Sequence, residues 1–311
     1  MALNIIALAA CAVFLSVTFL PGPRAPARVG TIGQDCDVMN ILEVKDLRID
    51  IPMRDGILHA VRGVSFAVPK GGTLCLVGES GSGKSLSALS IIGLLPHKGQ
   101  RRVATLQFDG RDISGLKERQ LEDLRGREIA VVFQDPMVAF DPTMTIGSQL
   151  EEVYLRHVAR DRRMARAKAL DLLTRVGVTM PDMRLKQYPH ELSGGLRQRA
   201  MIAMALMSEP KLLIADEPTT ALDVTMQVRV LALLQDLQAE FGISILFITH
   251  DLGVVAAIAD QVAVMRQGQV VEAGSVDDVL LSPREDYTKA LLAAVPEVPV
   301  LQGLTKGVAH A

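Results

Sequence analysis

The segment GESGSGKS, residues 78–85, has the spacing of a phosphate-binding loop, G-x-x-x-x-G-K-S. In such a loop the glycines let the backbone curl, so that successive N–H groups point at phosphate oxygens. Lys84 would reach the β- and γ-phosphates of a nucleotide, and the hydroxyl of Ser85 would ligate Mg²⁺. A glycine-rich turn is the alternative. The residues predicted to bind the nucleotide are Gly78, Glu79, Ser80, Gly81, Ser82, Gly83, Lys84 and Ser85.

The residues on both sides of this loop favour phosphate binding over a simple turn. The apolar run Thr73 to Val77 predicts a buried strand, and Leu86 to Leu95 predicts an apolar helix. A loop that leads into a helix lies at the positive end of the helix dipole, which attracts anions. The sequence therefore has the strand, loop and helix that phosphate binding requires.

Two adjacent carboxylates end another apolar run. The segment KLLIADEP, Lys211 to Pro218, predicts a strand followed by Asp216 and Glu217. Because side chains alternate along a strand, the two carboxylates should point to different faces and can have different roles. Asp216 would organise Mg²⁺, and Glu217 could polarise a water molecule for attack on a γ-phosphate. An acidic turn is the alternative.

Two further polar residues follow apolar runs. Gln134 follows the predicted strand Ile129 to Phe133, and His250 follows the run ISILFIT. At the carboxyl ends of parallel strands these side chains would face the same sheet edge as the phosphate loop. Neither is informative alone, since a single Gln or His is usually structural.

The segment LSGG precedes a predicted helix, so that Ser193, Gly194 and Gly195 lie at its N-terminus. This arrangement can bind an anion. Taken alone, an ordinary N-cap is the favoured alternative. Upstream, Thr145 to about Val178 is rich in helix formers and predicts a helical region.

The composition excludes some classes of function. The chain has 311 residues and a formal net charge of −2, which argues against nucleic acid as a partner. The basic run His97 to Arg102 is interpreted as a solvated loop. Its three cysteines, Cys11, Cys36 and Cys75, have neither metal-binding nor disulfide spacing, which is typical of a reducing compartment.

Residues 1–38 begin with an apolar run of about twenty residues, long enough to span a bilayer. No Lys or Arg precedes the run, so the charged start of a secretory signal is missing. Arg24 and Arg28 follow it and would keep the rest of the chain in the cytoplasm. We favour a translation start at Met39, before the predicted strand ILEVKDLRI, over a membrane anchor.

The order GESGSGKS, VVFQDP, LSGGLRQR, LLIADEP with TALD, and ITHD resembles the nucleotide-binding subunit of an ATP-binding cassette (ABC) transporter, from about Ile41 to Pro299. The resemblance implies an α/β P-loop fold with a RecA-like core, an antiparallel β subdomain and an inserted α-helical subdomain. The expected domains are the ATPase domain at 39–282, with its helical subdomain at about 135–208, and a C-terminal tail at 283–311.

The same resemblance implies roles for the motif residues. Gln134 would link Mg²⁺ and the attacking water to the helical subdomain, Glu217 would be the catalytic base, and His250 would contact the γ-phosphate. Ser193, Gly194, Gly195 and Asp223 would act across a dimer, on the nucleotide bound to the opposite subunit. The expected ligands of Mg²⁺ are Ser85, Gln134 and Asp216. A monomer should bind ATP but hydrolyse it poorly.

Longer segments, among them the tail LSPREDYTKALLAAVPEVP, resemble the ATPase subunits of bacterial oligopeptide, dipeptide and nickel importers. The implied function is ATP hydrolysis that energises solute uptake, at the cytoplasmic face of the cell membrane. The implied partners are permease subunits, a second ABC ATPase, and indirectly an extracytoplasmic solute-binding protein; a heterodimer is favoured over a homodimer. The alternatives are an ABC ATPase acting on nucleic acid or ribosomes, a regulatory subunit with little turnover, and an exporter.

One expected feature of the family is missing. No Phe, Tyr or Trp lies between Leu20 and Ser65, where relatives offer an aromatic ring to the adenine base. Ile57 or His59 is the candidate to replace it.

Overall fold

The apolar runs of the sequence form the strands of a six-stranded central sheet. The computed structural model of the protein describes residues 39–219 and 224–294. Within them, Met39–Leu292 makes up one compact unit. The sequence predictions that lie outside the described residues concern residues 1–38, Asp223 and residues 295–311.

In chain order the described strands are β1 (Asn40–Met53), β2 (Gly56–Pro69), β3 (Thr73–Val77), β4 (Gln100–Arg102), β5 (Thr105–Phe108), β6 (Arg111–Asp112), β7 (Ile129–Val132), β8 (Leu212–Asp216), β9 (Ser244–Thr249), β10 (Gln261–Arg266) and β11 (Gln269–Ser275). The described α-helices are α1 (Lys84–Ile91), α2 (Glu118–Leu124), α3 (Pro136–Ala139), α4 (Ile146–His157), α5 (Arg162–Arg175), α6 (Pro181–Arg184), α7 (Gly194–Ala205), α8 (Val224–Phe241), α9 (Leu252–Ile258), α10 (Val276–Leu281) and α11 (Asp286–Ala293).

The central sheet has the order β11-β10-β3-β9-β8-β7. All neighbours from β10 to β7 are parallel, and β11 pairs antiparallel at one edge. Every residue of β3, β8 and β9 is buried, as expected for strands covered on both faces. The carboxyl ends of β3, β7, β8 and β9 therefore meet at one edge of the sheet.

Alternate residues of β3 enter different hydrophobic cores. Leu74 and Leu76 pack with the second, antiparallel sheet, which is formed by β1, β2, β4, β5 and β6. Cys75 and Val77 pack on the opposite side with residues of the helices, including Leu172. The central sheet is thus covered by an antiparallel β layer on one side and by helices on the other.

Helices α3 to α7 lie between β7 and β8 in the chain, and capping side chains mark the starts of α4 and α5. The hydroxyl of Thr145 accepts a hydrogen bond from the Ser148 N–H at the start of α4. Asp161 accepts from the N–H groups of Arg163 and Met164 at the start of α5. Such caps satisfy backbone donors that have no partner within a helix.

The predicted α/β core, the antiparallel sheet and the inserted helices are all present, with three local differences. Helix α1 begins at Lys84 and ends at Ile91, because Gly93 adopts a left-handed φ of 74° and Pro96 follows. The helical region after Thr145 is divided into α4 and α5, and β7 ends at Val132, before Phe133. Among the described helices, none is both long enough and apolar enough to cross a membrane.

Candidate functional site

The phosphate-loop residues connect β3 to α1 in a conformation that requires glycine. Gly78, Gly81 and Gly83 have φ values of 147°, 79° and 99°, which side chains rarely tolerate. A Cβ at Gly78 would lie 2.1 Å from the Met265 carbonyl oxygen, and one at Gly83 would lie 2.9 Å from that of Ala60. The two glycines that define the sequence pattern are therefore needed for both backbone conformation and space.

Lys84, the first residue of α1, turns back over the loop. Its Nζ donates to the carbonyl oxygen of Gly78 at 2.7 Å and to that of Glu79 at 2.8 Å. The side chain is buried, and this burial lowers the pKa of Lys84, while the carboxylates of Glu217, Asp216 and Glu79 act in the opposite direction. The loop therefore holds a buried ammonium group that a phosphate could approach.

Asp216 and Ser85 form the second part of the site. Asp216 ends β8, and its Oδ1 accepts a hydrogen bond from the Ser85 hydroxyl at 2.7 Å. Burial raises the pKa of Asp216, and the hydrogen bond from Ser85 lowers it. The structure thus places Ser85 and Asp216, two of the expected Mg²⁺ ligands, within hydrogen-bond distance of each other.

This pair fits a magnesium ion that is shared with a nucleotide. Mg²⁺ binds oxygen ligands, keeps several waters, and in nucleotide sites takes one or two carboxylates together with substrate phosphates. The residues that the structure describes contain no group of three or more His, Cys, Asp or Glu suited to a metal ion. A buried carboxylate that bonds to the hydroxyl of Ser85, at the end of the phosphate loop, fits an Mg²⁺ ion that takes its remaining ligands from phosphate and water.

Glu217 meets the other two strand-end residues. Its Oε2 accepts from the Gln134 Nε2 at 3.0 Å, and its Oε1 lies 3.1 Å from the Nδ1 of His250. Because the Gln134 nitrogen is used in this bond, the amide oxygen is the atom that could ligate a metal ion. The ends of β7, β8 and β9 thus bring together the three residues that the sequence analysis placed there.

The backbone of Glu217 is unusual. Its φ is 45°, in the left-handed region that non-glycine residues rarely adopt, and its N–H donates to the carbonyl oxygen of Ile248 on β9 at 3.0 Å. Residues held in such a conformation often lie at functional sites, where the surrounding structure maintains them. Asp216 bonds to Ser85, whereas Glu217 bonds to Gln134 and His250, so the two carboxylates have different partners. Glu217 lies beyond the end of β8, so this difference comes with its backbone turn and not with the strand alternation expected from the sequence.

The LSGG segment begins α7 and has local contacts. The Ser193 hydroxyl accepts from the Leu196 N–H at 3.4 Å, so the N-cap that was the alternative is present. Ser193 and Gly194 are exposed, and a Cβ at Gly194 would meet nothing within 4 Å. Within the described part of the chain, no hydrogen bond joins Ser193, Gly194 or Gly195 to the phosphate loop.

The candidates for adenine contact are both exposed. Ile57 is 62% exposed near the β1–β2 turn, and His59 bonds through Nδ1 to the Asp50 carboxylate at 2.6 Å. Ala60, the next residue, has its carbonyl oxygen beside Gly83 of the loop. His59 is therefore the direct neighbour in the chain of a residue that lies beside the loop, whereas Ile57 lies farther along the hairpin.

Sequence reasoning missed the residues that hold the outer side of the loop. The Gly268 N–H donates to the carbonyl oxygen of Ser82 at 3.0 Å, and the Gly268 carbonyl accepts from the Arg62 N–H at 2.7 Å. The Tyr287 hydroxyl accepts from the Glu79 N–H at 3.3 Å. Nothing local in the sequence places Gly268 or Tyr287 at the loop.

The chain is similar to several known proteins. The chain matches the sequence model of the ABC transporter family over residues 61–220. It is 51% identical over 260 residues to the oligopeptide transport ATP-binding protein OppD of Bacillus subtilis (strain 168), which covers 83% of this chain and 73% of that protein. It is 47% identical over 259 residues to the dipeptide transport ATP-binding protein DppD of the same organism, covering 83% and 77%. Among solved structures, the chain is similar to the ATP-binding cassette MJ0796, which was solved as a dimer bound to ADP and Pi. The TM-score is 0.68 and the sequence identity 26%, and the match covers 76% of this chain and 98% of that chain.

Proposed function

The chain belongs to the ABC transporter family as an ATP-hydrolysing subunit, and we propose that it energises uptake of peptides, or of a related small solute such as nickel, through a membrane permease. The observation that supports the chemistry is the meeting of Lys84, the Ser85–Asp216 pair and Glu217 at one sheet edge. The relatives reported above are named as peptide transport proteins, which favours import over an action on nucleic acid or ribosomes.

Residues 78–85 bind the phosphates in this proposal. The Glu79 and Ser82 N–H groups already donate to the Tyr287 hydroxyl and the Glu79 carbonyl oxygen. The other backbone N–H groups of the loop and the N-terminus of α1 would bind the anion, and Lys84 would donate to the β- and γ-phosphate oxygens. Two of the three ammonium donors of Lys84 already bond to carbonyl oxygens, and the third makes only a 3.4 Å contact with Ser82. A phosphate oxygen can replace that long contact without moving the lysine.

Ser85, Asp216 and the amide oxygen of Gln134 would hold the magnesium ion. When bound, Mg²⁺ neutralises charge on the phosphate oxygens and so supports phosphoryl transfer. The Asp216 carboxylate is buried, and burial penalises its charged form, so a cation at this place compensates a charge that the fold keeps from water.

Glu217 is proposed as the base that accepts a proton from the attacking water. Its carboxylate is fixed by Gln134 on one oxygen and by His250 on the other, so that one lone pair of each oxygen is already oriented. His250, 57% exposed in its side chain, can turn toward a γ-phosphate when one is bound. Gln134 connects the same carboxylate to α3, the first of the inserted helices.

Ser193, Gly194 and Gly195, together with Asp223, are proposed to act on the nucleotide of a second subunit. The exposure of Ser193 and Gly194, and their lack of bonds to the loop of their own chain, support this proposal. A related cassette forms a dimer with ADP and Pi. We favour a related second ATPase subunit over an identical one, because the relatives belong to peptide transport systems.

The surface that would receive the permease is at residues 135–149, directly after Gln134. Val138 on α3 is 73% exposed and Met137 is 37% exposed, so an apolar surface is available there. Peripheral attachment to the cytoplasmic face of the membrane follows from this contact, and an extracytoplasmic solute-binding protein would supply the solute to the permease.

The test is mass spectrometry of the proteins that co-purify with the tagged full chain from gently solubilised membranes. We expect two permease subunits, a second ABC ATPase and a solute-binding lipoprotein. Val138→Asp should lose the permease, whereas Val158→Asp, equally apolar and 50% exposed at the end of α4, should retain it. Recovery of ribosomes or DNA-repair proteins without a permease would overturn the transport assignment and leave the ATPase chemistry intact.

A further inference from the structure

The peptide unit between Gly78 and Glu79 is held at both of its polar groups. Its carbonyl oxygen, that of Gly78, accepts from the Lys84 Nζ at 2.7 Å. Its N–H, that of Glu79, donates to the Tyr287 hydroxyl at 3.3 Å. Because a trans peptide is planar, its C=O and N–H point in opposite directions, and each bond fixes the orientation that the other needs. Tyr287 and Lys84 therefore lie on opposite sides of one rigid unit.

Tyr287 is itself placed by the packing of α11. The guanidinium of Arg266, the last residue of β10, lies 4.8 Å from the centre of the tyrosine ring, as in a cation–π contact. The N–H groups of Arg284 and Glu285 donate to the Glu272 carboxylate of β11 at 2.7 and 3.2 Å. Partial burial acts to raise the pKa of Glu272, but these bonds, together with the side chain of Thr288 and the charge of Arg284, lower it. The hydroxyl thus reaches the loop from an element that is fixed at two points.

We infer that Tyr287 is a positioning residue for phosphate binding, acting through the Gly78–Glu79 peptide on Lys84. A rotation of this peptide would take the Gly78 carbonyl away from the ammonium group and leave the Glu79 N–H without its acceptor. The tyrosine hydroxyl opposes that rotation and keeps Lys84 in the place where a phosphate meets its third donor. Hydrogen bonds on both ends of one peptide also polarise each other, which strengthens both.

This inference rests on the proposed role of Lys84 and adds the C-terminal helix to the nucleotide site. The bond links positions separated by 208 residues, so a displacement of α11 would change the loop directly. A purely structural tyrosine would act through its ring, which packs near Arg266. The hydroxyl can be tested separately from the ring.

The experiment compares Tyr287→Phe with wild type and with Tyr154→Phe, a half-buried tyrosine on α4, in the full-length chain. Binding of adenylyl imidodiphosphate with Mg²⁺ is measured by calorimetry, and hydrogen exchange of the Glu79 amide by mass spectrometry. Loss of one neutral hydrogen bond of this length should weaken nucleotide binding about threefold. The Glu79 amide should exchange faster. In the complex assembled with the partner ATPase, KM for ATP should rise by a similar factor, and kcat at saturation should stay nearly constant.

Tyr154→Phe should match wild type in all of these measurements. If Tyr287→Phe binds the analogue as wild type does, with unchanged exchange at Glu79, the inference is wrong while the proposed function stands. If the wild-type chain itself does not bind the analogue, the proposed function is wrong, and the inference that rests on it is wrong as well. A lower melting temperature of Tyr287→Phe with unchanged exchange at Glu79 would assign the tyrosine to packing and overturn the inference.

Discussion

The assignment of Glu217 as the base is best tested by Glu217→Gln, which removes the charge and keeps the shape of the side chain. In the wild type, Gln134 Nε2 donates to the Glu217 carboxylate at 3.0 Å, and the carbonyl oxygen of a glutamine can still accept this bond. The new amide can donate to His250 Nδ1 when that nitrogen carries no proton. The variant should therefore keep the fold and the contacts of the site while losing its proton acceptor.

The expected loss of turnover follows from the proposed role of Glu217 as the general base. General base catalysis contributes about 10²- to 10⁴-fold, or roughly 3–5 kcal/mol of barrier height. Nucleotide binding should not weaken, because the removed charge lies near the place of the negative phosphates. Glu217 also helps to keep the nearby Lys84 protonated, but Asp216 and Glu79 still favour the charged lysine in the variant. We expect kcat to fall at least a hundredfold with the affinity for ATP equal or higher.

The assay is phosphate release over a range of MgATP concentrations, in the assembled complex with its partner ATPase. Glu209→Gln is the matched control, because Glu209 also has a left-handed φ, of 53°, and pairs on the surface with Lys168. This control should hydrolyse ATP at the wild-type rate. A Glu217→Gln complex that keeps more than about a tenth of wild-type turnover would refute the assignment, since a lost base cannot leave so much activity.

Two further substitutions test the remaining parts of the site. Gly78→Ala should abolish nucleotide binding, because its Cβ would lie 2.1 Å from the Met265 carbonyl oxygen; Gly115→Ala, which meets nothing within 4 Å, should bind normally, and equal binding by both would contradict the steric argument. Asp216→Asn should raise the melting temperature of the nucleotide-free chain at neutral pH and raise the Mg²⁺ concentration that hydrolysis requires. Burial raises the pKa of Asp216 above its ordinary value of 3.8, so its contribution to stability is present below that pH and is lost as the pH rises. The gain from Asn should therefore vanish on acidification, and a gain that persists below pH 3.8 would refute the burial argument.

The predictable part of the site is the part whose geometry is local in the chain. The strand, loop and helix around Lys84 are continuous in sequence, so the spacing of two glycines and a lysine defines their arrangement. Gln134 and His250 were predictable for a different reason. Each follows a buried apolar run, and parallel strands bring their carboxyl ends to one edge whatever the intervening sequence is.

The remaining features depend on contacts between distant residues. Gly268 bonds to Ser82 across a turn between β10 and β11, and Tyr287 reaches Glu79 from the last described helix. Neither pairing leaves a periodicity or a motif spacing in the sequence. The left-handed backbone of Glu217 was equally hidden, because glutamate gives no turn signal of the kind that glycine or asparagine gives. The C-terminal tail resembled the peptide-importer ATPases in sequence, but only the structure shows that Tyr287 in this tail contacts the phosphate loop.

The inserted helices reach the Glu217 turn by two routes, and this arrangement bears on how a permease could control hydrolysis. Gln134, which bonds to the Glu217 carboxylate, leads directly into α3. Gln198, buried on α7, donates through Nε2 to the carbonyl oxygen of Pro218, the residue after Glu217. A rotation of the inserted helices relative to the sheet would therefore displace both the Glu217 side chain, through Gln134, and the backbone next to it, through Gln198. If the permease binds at residues 135–149, as proposed, its conformation would act on the position of Glu217 through these two bonds, neither of which involves Lys84. Hydrolysis would then respond to the permease more strongly than nucleotide binding does.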